Sequence, residues 1–384
     1  MVIPFDYAPP LTLLPVVRMK INGGEPMDFL LDTGSDVGVL IYPWAAEKAG
    51  MKKTGRTKTE TVDGSKMDIV EGGELSFVMA ADSPPFTVAL QNALMRDVPS
   101  FLKEFPGRRI AGILGAELIF ALNSRLDFDR KQWSVFFPTD LEGRSLGTRV
   151  PFEQPVKGAP ISFVARTPGG DAIPFLVDTG ANGTTIPGDA QNAWKGATPG
   201  AERVRSVTTY GSTSQATLLL PEFSLGPLTV PNVDVTVSAK TRKENQRSAT
   251  LGLDVIARYN VTFDVANKAA YFAPRKDYRP VLPGRFVLGL ERKGDRYAVA
   301  HIDKDAFKGG AAPDLAAGDV LLTVDGREVS SLPEWVVQLL LRGEGGTTAE
   351  LTVVPEGQPE SARKVVRFRR PDRYKPSDTA RAKP

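Results

Sequence analysis

Short apolar runs separated by turn-forming residues recur along the chain, and this pattern predicts a mainly β protein. Two of these runs, residues 29–31 and 175–177, end in the same Asp-Thr-Gly triplet. Each predicts a buried strand that delivers an aspartate, Asp32 or Asp178, to a tight turn. A buried carboxylate destabilises a fold unless it is paired or protonated. Two such aspartates, 146 residues apart, therefore indicate a function rather than a contribution to stability.

The segments around the two aspartates also repeat in the same order. The matched pairs are residues 3–6 and 150–153, 14–19 and 161–165, 22–24 and 168–170, 62–65 and 210–212, 111–118 and 249–255, and 125–129 and 260–264. An internal repeat of this kind predicts two similar lobes related by a pseudo-twofold axis. The seam between them falls near residues 138–148, which are rich in turn formers.

Composition narrows the chemistry that the chain can perform. The 384 residues carry a net charge of +3 and no basic block, so no nucleic-acid partner is expected. The chain has no cysteine and a single histidine, His301. Thiol chemistry and a multi-histidine metal site are therefore excluded, a Ser/His/Asp triad is disfavoured, and we expect neither a metal nor an organic cofactor.

Targeting signals are absent from the pattern. No run of 18 apolar residues occurs, so no membrane span is expected. The first residues also lack the basic and apolar regions of a signal peptide. Because a cysteine-free chain suits an oxidising compartment, we expect a periplasmic or secreted protein whose signal has been removed. The cytoplasm is the alternative.

The aspartates suggest a specific reaction if the two lobes bring them together. Two carboxyl groups about 3 Å apart cannot both ionise, so they hold one proton between them. The ionised group can then take a proton from water while the protonated group hydrogen-bonds a substrate carbonyl.

Residues 1–275 resemble the aspartic proteases of the retropepsin and pepsin type, on their two Asp-Thr-Gly triplets and the later apolar-Gly elements at 113–115 and 250–252. Thr250 departs slightly from the family pattern, which has an apolar residue there. The resemblance implies two β-barrel-like lobes, 1–140 and 141–276, with each apolar-Gly element crossing behind an aspartate loop. It implies catalytic roles for Asp32 and Asp178 and supporting roles for Thr33, Gly34, Ser35, Thr179 and Gly180. The hairpin tips at Gly64, Tyr210 and Gly211 are interpreted as substrate-binding flaps, with an ordinary surface hairpin as the alternative.

Four details of the two lobes follow from their residue types. Thr33 and Thr179 are expected to hydrogen-bond across the lobe interface. The Ser35 hydroxyl can donate to Asp32, whereas Ala181 has no such group for Asp178. Glu117 and Asp254 are interpreted as acids in the first turns of two short helices, where the helix dipole favours them. Asp127, Asp129 and Asp264 are interpreted as turn residues.

Residues 280–370 resemble a PDZ domain of the bacterial protease-associated type, on residues 286–290 and 316–326. The resemblance implies that a loop at Leu288, Gly289 and Leu290 binds the carboxylate of a peptide C-terminus. Asp325 and Gly326 predict a hairpin turn, and residues 331–334 predict a capping box that opens a helix. Residues 371–384 are expected to be a disordered tail.

The expected function is an aspartic endopeptidase, monomeric, acting on peptides or proteins that the PDZ module recruits or gates. One alternative is a non-catalytic adaptor that holds peptides in the cleft and the PDZ groove. In a further alternative, each lobe pairs with a lobe of another chain.

Overall fold

The computed structural model describes residues 1–7, 12–57, 66–99, 102, 105, 107–137, 141, 145–208, 211–239, 249–308 and 311–374. These residues form two compact units. The first, here the two-lobe unit, comprises Met1–Ala197 and Val204–Arg279. The second, here the C-terminal unit, comprises Pro280–Pro384 together with the segment Thr198–Arg203 from the middle of the chain.

The first lobe of the two-lobe unit runs from β1 to β10. Its elements are β1 (Val2–Tyr7), β2 (Pro15–Ile21), β3 (Met27–Asp32), β4 (Val39–Ile41), α1 (Pro43–Lys48), β5 (Lys53–Arg56), β6 (Asp68–Phe77), β7 (Thr87–Met95), β8 (Ile110–Gly115), α2 (Ala116–Ile119), β9 (Asn123–Asp127) and β10 (Gln132–Phe136).

The second lobe repeats this order from β11 to β20. Its elements are β11 (Thr148–Pro151), β12 (Ser162–Arg166), β13 (Ala172–Val177), β14 (Thr184–Ile186), a 3-10 helix (Gly188–Ala193), β15 (Thr198–Thr208), β16 (Gly211–Leu225), β17 (Leu228–Val237), β18 (Thr250–Leu251), α3 (Leu253–Ile256), β19 (Tyr259–Asp264) and β20 (Ala269–Pro274).

Each lobe closes on itself as a small barrel. In the first lobe the strands pair in the order β2-β3-β8-β4-β7-β6, and β6 pairs back to β2. In the second lobe the order is β12-β13-β18-β14-β17-β16, and β16 pairs back to β12. The two rings match strand for strand, which confirms the mainly β fold with two repeated lobes that the sequence predicts.

The aspartate strands are held by buried apolar side chains. Phe29 and Leu31 of β3, and Phe175 and Val177 of β13, are at most 1% exposed. Full burial of one such side chain contributes about 1.5–3 kcal/mol. The apolar-Gly strand lies parallel beside the aspartate strand in both lobes, β8 beside β3 and β18 beside β13. This pairing confirms the crossing that the family resemblance implies.

A second sheet joins the lobes, in the order β1-β10-β9-β19-β20-β11. Its central pair, β9 and β19, is antiparallel, with Leu126 opposite Val261. Both side chains are at most 1% exposed. Asp127 ends β9 and Asp264 ends β19, at the turns that the sequence indicates.

The C-terminal unit is built on its own sheet. Its elements are β21 (Leu288–Lys293), β22 (Arg296–Ile302), a 3-10 helix (Lys304–Phe307), β23 (Val320–Val324), β24 (Arg327–Glu328), α4 (Glu334–Arg342), β25 (Thr348–Val354), a 3-10 helix (Glu360–Ala362) and β26 (Lys364–Arg369). The strand order is β21-β22-β23-β25-β26, with β24 beside β23. Its core includes Tyr297, Leu321, Val337, Leu351 and Phe368.

Two local predictions for this unit have different outcomes. Asp325 and Gly326 both have positive φ and connect β23 to β24, so the predicted hairpin turn is confirmed. The predicted capping box is wrong. Helix α4 begins at Glu334, and its N-cap is Pro333, which has no side chain that can cap a backbone N–H. The fixed φ of proline starts this helix instead.

The prediction that a disordered tail begins at residue 371 is also wrong for the first residues of that segment. Arg373 is 2% exposed and Tyr374 is 5% exposed. The backbone carbonyl of Arg373 accepts a hydrogen bond from Ala201, and its guanidinium lies 3.3 Å from the Glu202 carboxylate. The segment Thr198–Arg203 therefore fixes the chain as far as Tyr374. Residues 375–384 lie outside the described residues.

No helix in the described part of the chain is long and apolar enough to cross a membrane.

A buried asparagine links the two lobes by hydrogen bonds at the central sheet, and its loss should destabilise the protein. Asn260 accepts a hydrogen bond from the Phe128 N–H (2.8 Å) and donates one to Asp129 (2.8 Å). Replacing Asn260 with alanine leaves the buried Phe128 N–H without this acceptor. We expect the free energy of unfolding to fall by about 1–3 kcal/mol in urea titrations. The exposed strand residue Asn92 is the matched control, and a loss no larger for Asn260→Ala than for Asn92→Ala would contradict the assignment.

Candidate active site

The two Asp-Thr-Gly loops meet in the two-lobe unit, and the carboxyl groups of Asp32 and Asp178 hydrogen-bond to each other. Glycine makes this approach possible. A Cβ added to Gly34 would lie 2.5 Å from Cγ of Asp178, and one added to Gly180 would lie 2.6 Å from Cγ of Asp32. Any larger residue would push the opposite carboxyl group away. The sequence pattern thus identified two carboxyl groups that the fold brings together within one chain.

Reciprocal threonine contacts lock the two loops. The Thr33 N–H donates to Thr179 Oγ1 (3.1 Å), and the Thr179 N–H donates to Thr33 Oγ1 (3.0 Å). Each hydroxyl then donates across the interface, Thr33 to the carbonyl of Val177 (2.8 Å) and Thr179 to that of Leu31 (2.7 Å). Both threonines are fully buried. This network confirms the predicted hydrogen bonds between the lobes.

Backbone N–H groups orient each carboxylate. Gly34 and Ser35 donate to Asp32 Oδ1 at 3.0 and 3.2 Å, and Gly180 donates to Asp178 Oδ1 at 2.8 Å. The prediction that the Ser35 hydroxyl donates to Asp32 is wrong, because its backbone N–H makes the contact. Ala181 likewise donates through its backbone to Asp178. A hydroxyl is therefore not needed at this position of either loop.

The pKa values of the two aspartates both lie above the ordinary value. Burial raises the pKa of Asp32, and a hydrogen bond from Asp178 partly offsets that effect. Burial, the negative charge of Asp32 and the hydrogen bond between them hold the pKa of Asp178 well above its usual range. The pair therefore holds one proton between its two carboxyl groups.

The short helices after the apolar-Gly strands hold the aspartate loops from behind. In the first lobe, the Gly115 N–H donates to the carbonyl of Gly38 (3.0 Å) and the Ala116 N–H donates to that of Ser35 (2.8 Å). In the second lobe, the Leu253 N–H donates to the carbonyl of Ala181 (2.8 Å). The loop conformation is thus set by backbone contacts on both sides.

The remaining predicted site residues are only partly covered by the structure. Gly64 and Tyr210 lie outside the described residues, and Gly211 is the first residue of β16. The substrate-binding role of these hairpin tips remains a prediction.

The structure corrects one feature of the C-terminal unit. Leu288, Gly289 and Leu290 do not form a loop, because all three lie in β21 and pair with β22. Strand β21 is at the edge of its sheet. The Leu288 carbonyl accepts a hydrogen bond from Gln338 of α4 (3.2 Å). His301 is exposed on β22.

Two polar residues beside the second aspartate loop were not recognised as a pair from the sequence. The Thr184 hydroxyl donates to Asp254 Oδ1 (2.7 Å), and the Gly252 N–H donates to Thr184 Oγ1 (3.1 Å). Asp254 does lie in the first turn of its helix, as predicted. The apolar neighbours Leu253 and Val255 were the one available signal that this acid is buried.

Among the described residues, no group of three or more His, Cys, Asp or Glu side chains is placed to hold a metal ion.

Comparison with known proteins gives a family and two weak structural likenesses. Residues 17–118 and 164–270 both match the family model described as aspartyl protease. No curated protein matches the chain. The crystal structure of basic 7S globulin from soybean matches with 13% sequence identity and a TM-score of 0.40, and the match covers 71% of this chain and 94% of that protein. The photosystem II D1 C-terminal processing protease is 27% identical over 25% of this chain and 24% of its own, with a TM-score of 0.20.

Both TM-scores are low, so neither likeness carries an argument about this chain. The family model gives stronger evidence, because it matches once in each lobe and the two matches together cover more than half of the residues. Each match also contains one of the two aspartates that the fold brings together. The chain belongs to the aspartyl protease family.

Proposed function

We propose that this chain is an aspartic endopeptidase that hydrolyses peptide bonds with a water molecule activated between Asp32 and Asp178. The observation that carries the proposal is the close approach of two partly buried carboxyl groups, each packed against the glycine of the opposite loop, whose pKa values are both raised. Such a pair costs stability, because one of the two groups must be held protonated against its ordinary pKa. A pair that shares one proton can act as base and acid in the same step.

The reaction follows from the positions of the proton and the charge. Asp32 takes a proton from the attacking water while Asp178 donates its proton to the substrate carbonyl oxygen. The water oxygen bonds to the carbonyl carbon, and a tetrahedral diol forms. Asp32 then gives its proton to the amide nitrogen while Asp178 takes a proton from one diol hydroxyl. The carbon–nitrogen bond breaks, a carboxylic acid and an amine are released, and the pair is left with one proton again. The Thr33 and Thr179 network keeps the two carboxyl groups in place throughout.

The C-terminal unit is proposed to recruit or gate substrate as a PDZ-like module. Support comes from β21, which lies at the end of its sheet among the described residues, so that an extended peptide could add beside it as a further strand next to α4. The hairpin tips of the two lobes, with Gly64, Tyr210 and Gly211, are proposed to close over substrate. The adaptor alternative makes no use of the shared proton, so the experiments below separate the two functions.

The first experiment removes each carboxyl group in turn. We expect Asp32→Asn and Asp178→Asn each to lower kcat/KM on a mixed peptide library by about 10²–10⁴-fold, because neither variant retains a pair that holds one transferable proton. Both variants should remain folded at neutral pH. Asp82→Asn, at an exposed turn, is the matched control. Cleavage near the wild-type rate by either dyad variant would contradict the proposal, and peptide binding without cleavage by the wild type would favour the adaptor.

The second experiment measures activity against pH. The active pair holds one proton, so activity should fall at low pH as Asp32 is protonated and at high pH as Asp178 loses its proton. Because both pKa values are raised, both limbs of the kcat/KM curve should lie above the ordinary aspartate pKa of about 3.9. A single limb centred at that ordinary value would show that the two groups titrate independently.

A further inference from the structure

A third acid lies directly behind the Asp178 loop and has no part in the mechanism above. Asp254 is in the first turn of α3, and its N–H donates to the carbonyl of Asn182 (3.0 Å). Its Oδ1 accepts the hydroxyl of Thr184, six residues after Asp178. The same hydroxyl oxygen accepts the N–H of Gly252. Asp254 thus contacts the loop through its backbone and its side chain.

One oxygen of this carboxyl group is left without a partner. Asp254 Oδ2 is buried and accepts no hydrogen bond from any protein group in the described residues. A buried anionic oxygen in this condition is costly, whereas the protonated carboxyl group is tolerated far better. The site therefore favours the neutral acid.

The equivalent position of the first lobe is built differently. Glu117 occupies the matching place in α2, but its side chain is exposed. Gly38 stands where the second lobe has Thr184, and the Gly115 N–H donates to the backbone carbonyl of Gly38. On its α2 side, the first aspartate loop is thus held by backbone contacts. Only the second loop, among the described residues, is held through a buried acid.

The charges around Asp254 oppose one another. Arg258, one turn later, lowers its pKa, and Asp234 on β17 raises it. Tyr278 faces it with a phenol whose own pKa is raised chiefly by burial, and Tyr259 at the start of β19 lies near the same arginine. Strand β14 contributes Thr184, whose hydroxyl and N–H lower the pKa of Asp254. Burial is the largest influence on Asp254 and outweighs the groups that lower its pKa, so the pKa is raised to about 7.

We propose that Asp254 is a positioning residue that holds the Asp178 loop through Thr184, and that loss of its proton loosens this loop. Thr184 keeps its donor bond to Oδ1 in either state, so the change comes from the unpartnered Oδ2, which becomes part of a buried anion. The effect on catalysis rests on the proposed function. The effect on the loop does not, because it follows from the contacts of Asp254 alone.

The sign of the pH dependence follows from the raised pKa. An unfolded aspartate ionises near about pH 3.9, whereas folded Asp254 keeps its proton to about pH 7. Between these values the unfolded chain releases a proton that the folded protein retains, so the folded state loses stability as pH rises. Above about pH 7 the loss is complete and stays constant.

The experiment compares urea unfolding of the full chain between about pH 4 and pH 8.5 for the wild type and two matched variants. In Asp254→Asn the folding equilibrium constant should depend less on pH than in the wild type. Between pH 4 and 7, the wild type should lose up to about tenfold more in this constant for each pH unit than the variant does. Glu117→Gln should follow the wild type, because Glu117 is exposed. Equal slopes for wild type and Asp254→Asn, or an equal effect of Glu117→Gln, would overturn the proposal.

Variants of Thr184 keep the test decisive if Asp254→Asn does not fold. Thr184→Val removes a hydroxyl that lowers the pKa of Asp254. In this variant the loss of stability with rising pH should therefore continue to a higher pH than in the wild type. Thr184→Ser retains the hydroxyl and should restore the wild-type range. The link between the two residues would be overturned if the pH range of the stability loss did not change in Thr184→Val, or if Thr184→Ser did not restore the wild-type range.

Two further measurements separate this inference from the proposed function. Hydrogen exchange at the amides of Leu253 and Asp254, which bond to the loop carbonyls, should quicken in the wild type as pH rises through about 7, after correction for the intrinsic pH dependence of exchange. Exchange that shows no such step would contradict loosening of the loop, whether or not the chain cleaves peptides. In an active enzyme, Thr184→Val should move the alkaline fall in kcat with little change in KM, and Glu117→Gln should not.

Discussion

Two carboxyl groups inside a protein repel each other unless they share a proton, and much of the two-lobe unit serves to hold Asp32 and Asp178 where they must share one. The glycine of each loop leaves room for the opposite carboxyl group. The threonine of each loop bonds to the other lobe, so neither loop can move alone. The central sheet then fixes the lobes themselves through the antiparallel pair β9 and β19. Each of these contacts resists the repulsion that would separate the acids.

Much of this arrangement could be predicted because it repeats. Apolar runs ending in Asp32 and Asp178 require buried strands with acids at their ends. A second copy of every neighbouring element requires a second lobe. Residue type alone indicated that Thr33 and Thr179 would bond across the interface, since a buried hydroxyl in a tight turn needs a nearby partner.

The errors arose where a side chain and the backbone can make the same contact. The Ser35 hydroxyl was expected to donate to Asp32, but the backbone N–H of Ser35 already does so. Pro333 begins α4 by its fixed φ, which a capping pattern does not reveal. Arg373 and Tyr374 are buried by a segment more than 170 residues earlier in the chain. No local composition could show that contact.

The burial of Asp254 was missed for a related reason. An acid in the first turn of a helix is common and ordinarily exposed, as Glu117 is. Its burial depends on packing against β17 and on Thr184, which stands in the loop where the first lobe has glycine. The two lobes are therefore alike in strand order and unlike in how they hold their aspartates.

The central claim is that Asp32 and Asp178 share one proton at the pH where the protein works. Carbon-13 NMR of carboxyl-labelled aspartate, with Asp32→Asn and Asp178→Asn for assignment, would test it most directly. The account predicts two separate titration steps for the pair, both above about pH 3.9, with one proton held between them. Two aspartates that titrate together in a single step at the ordinary value would contradict it.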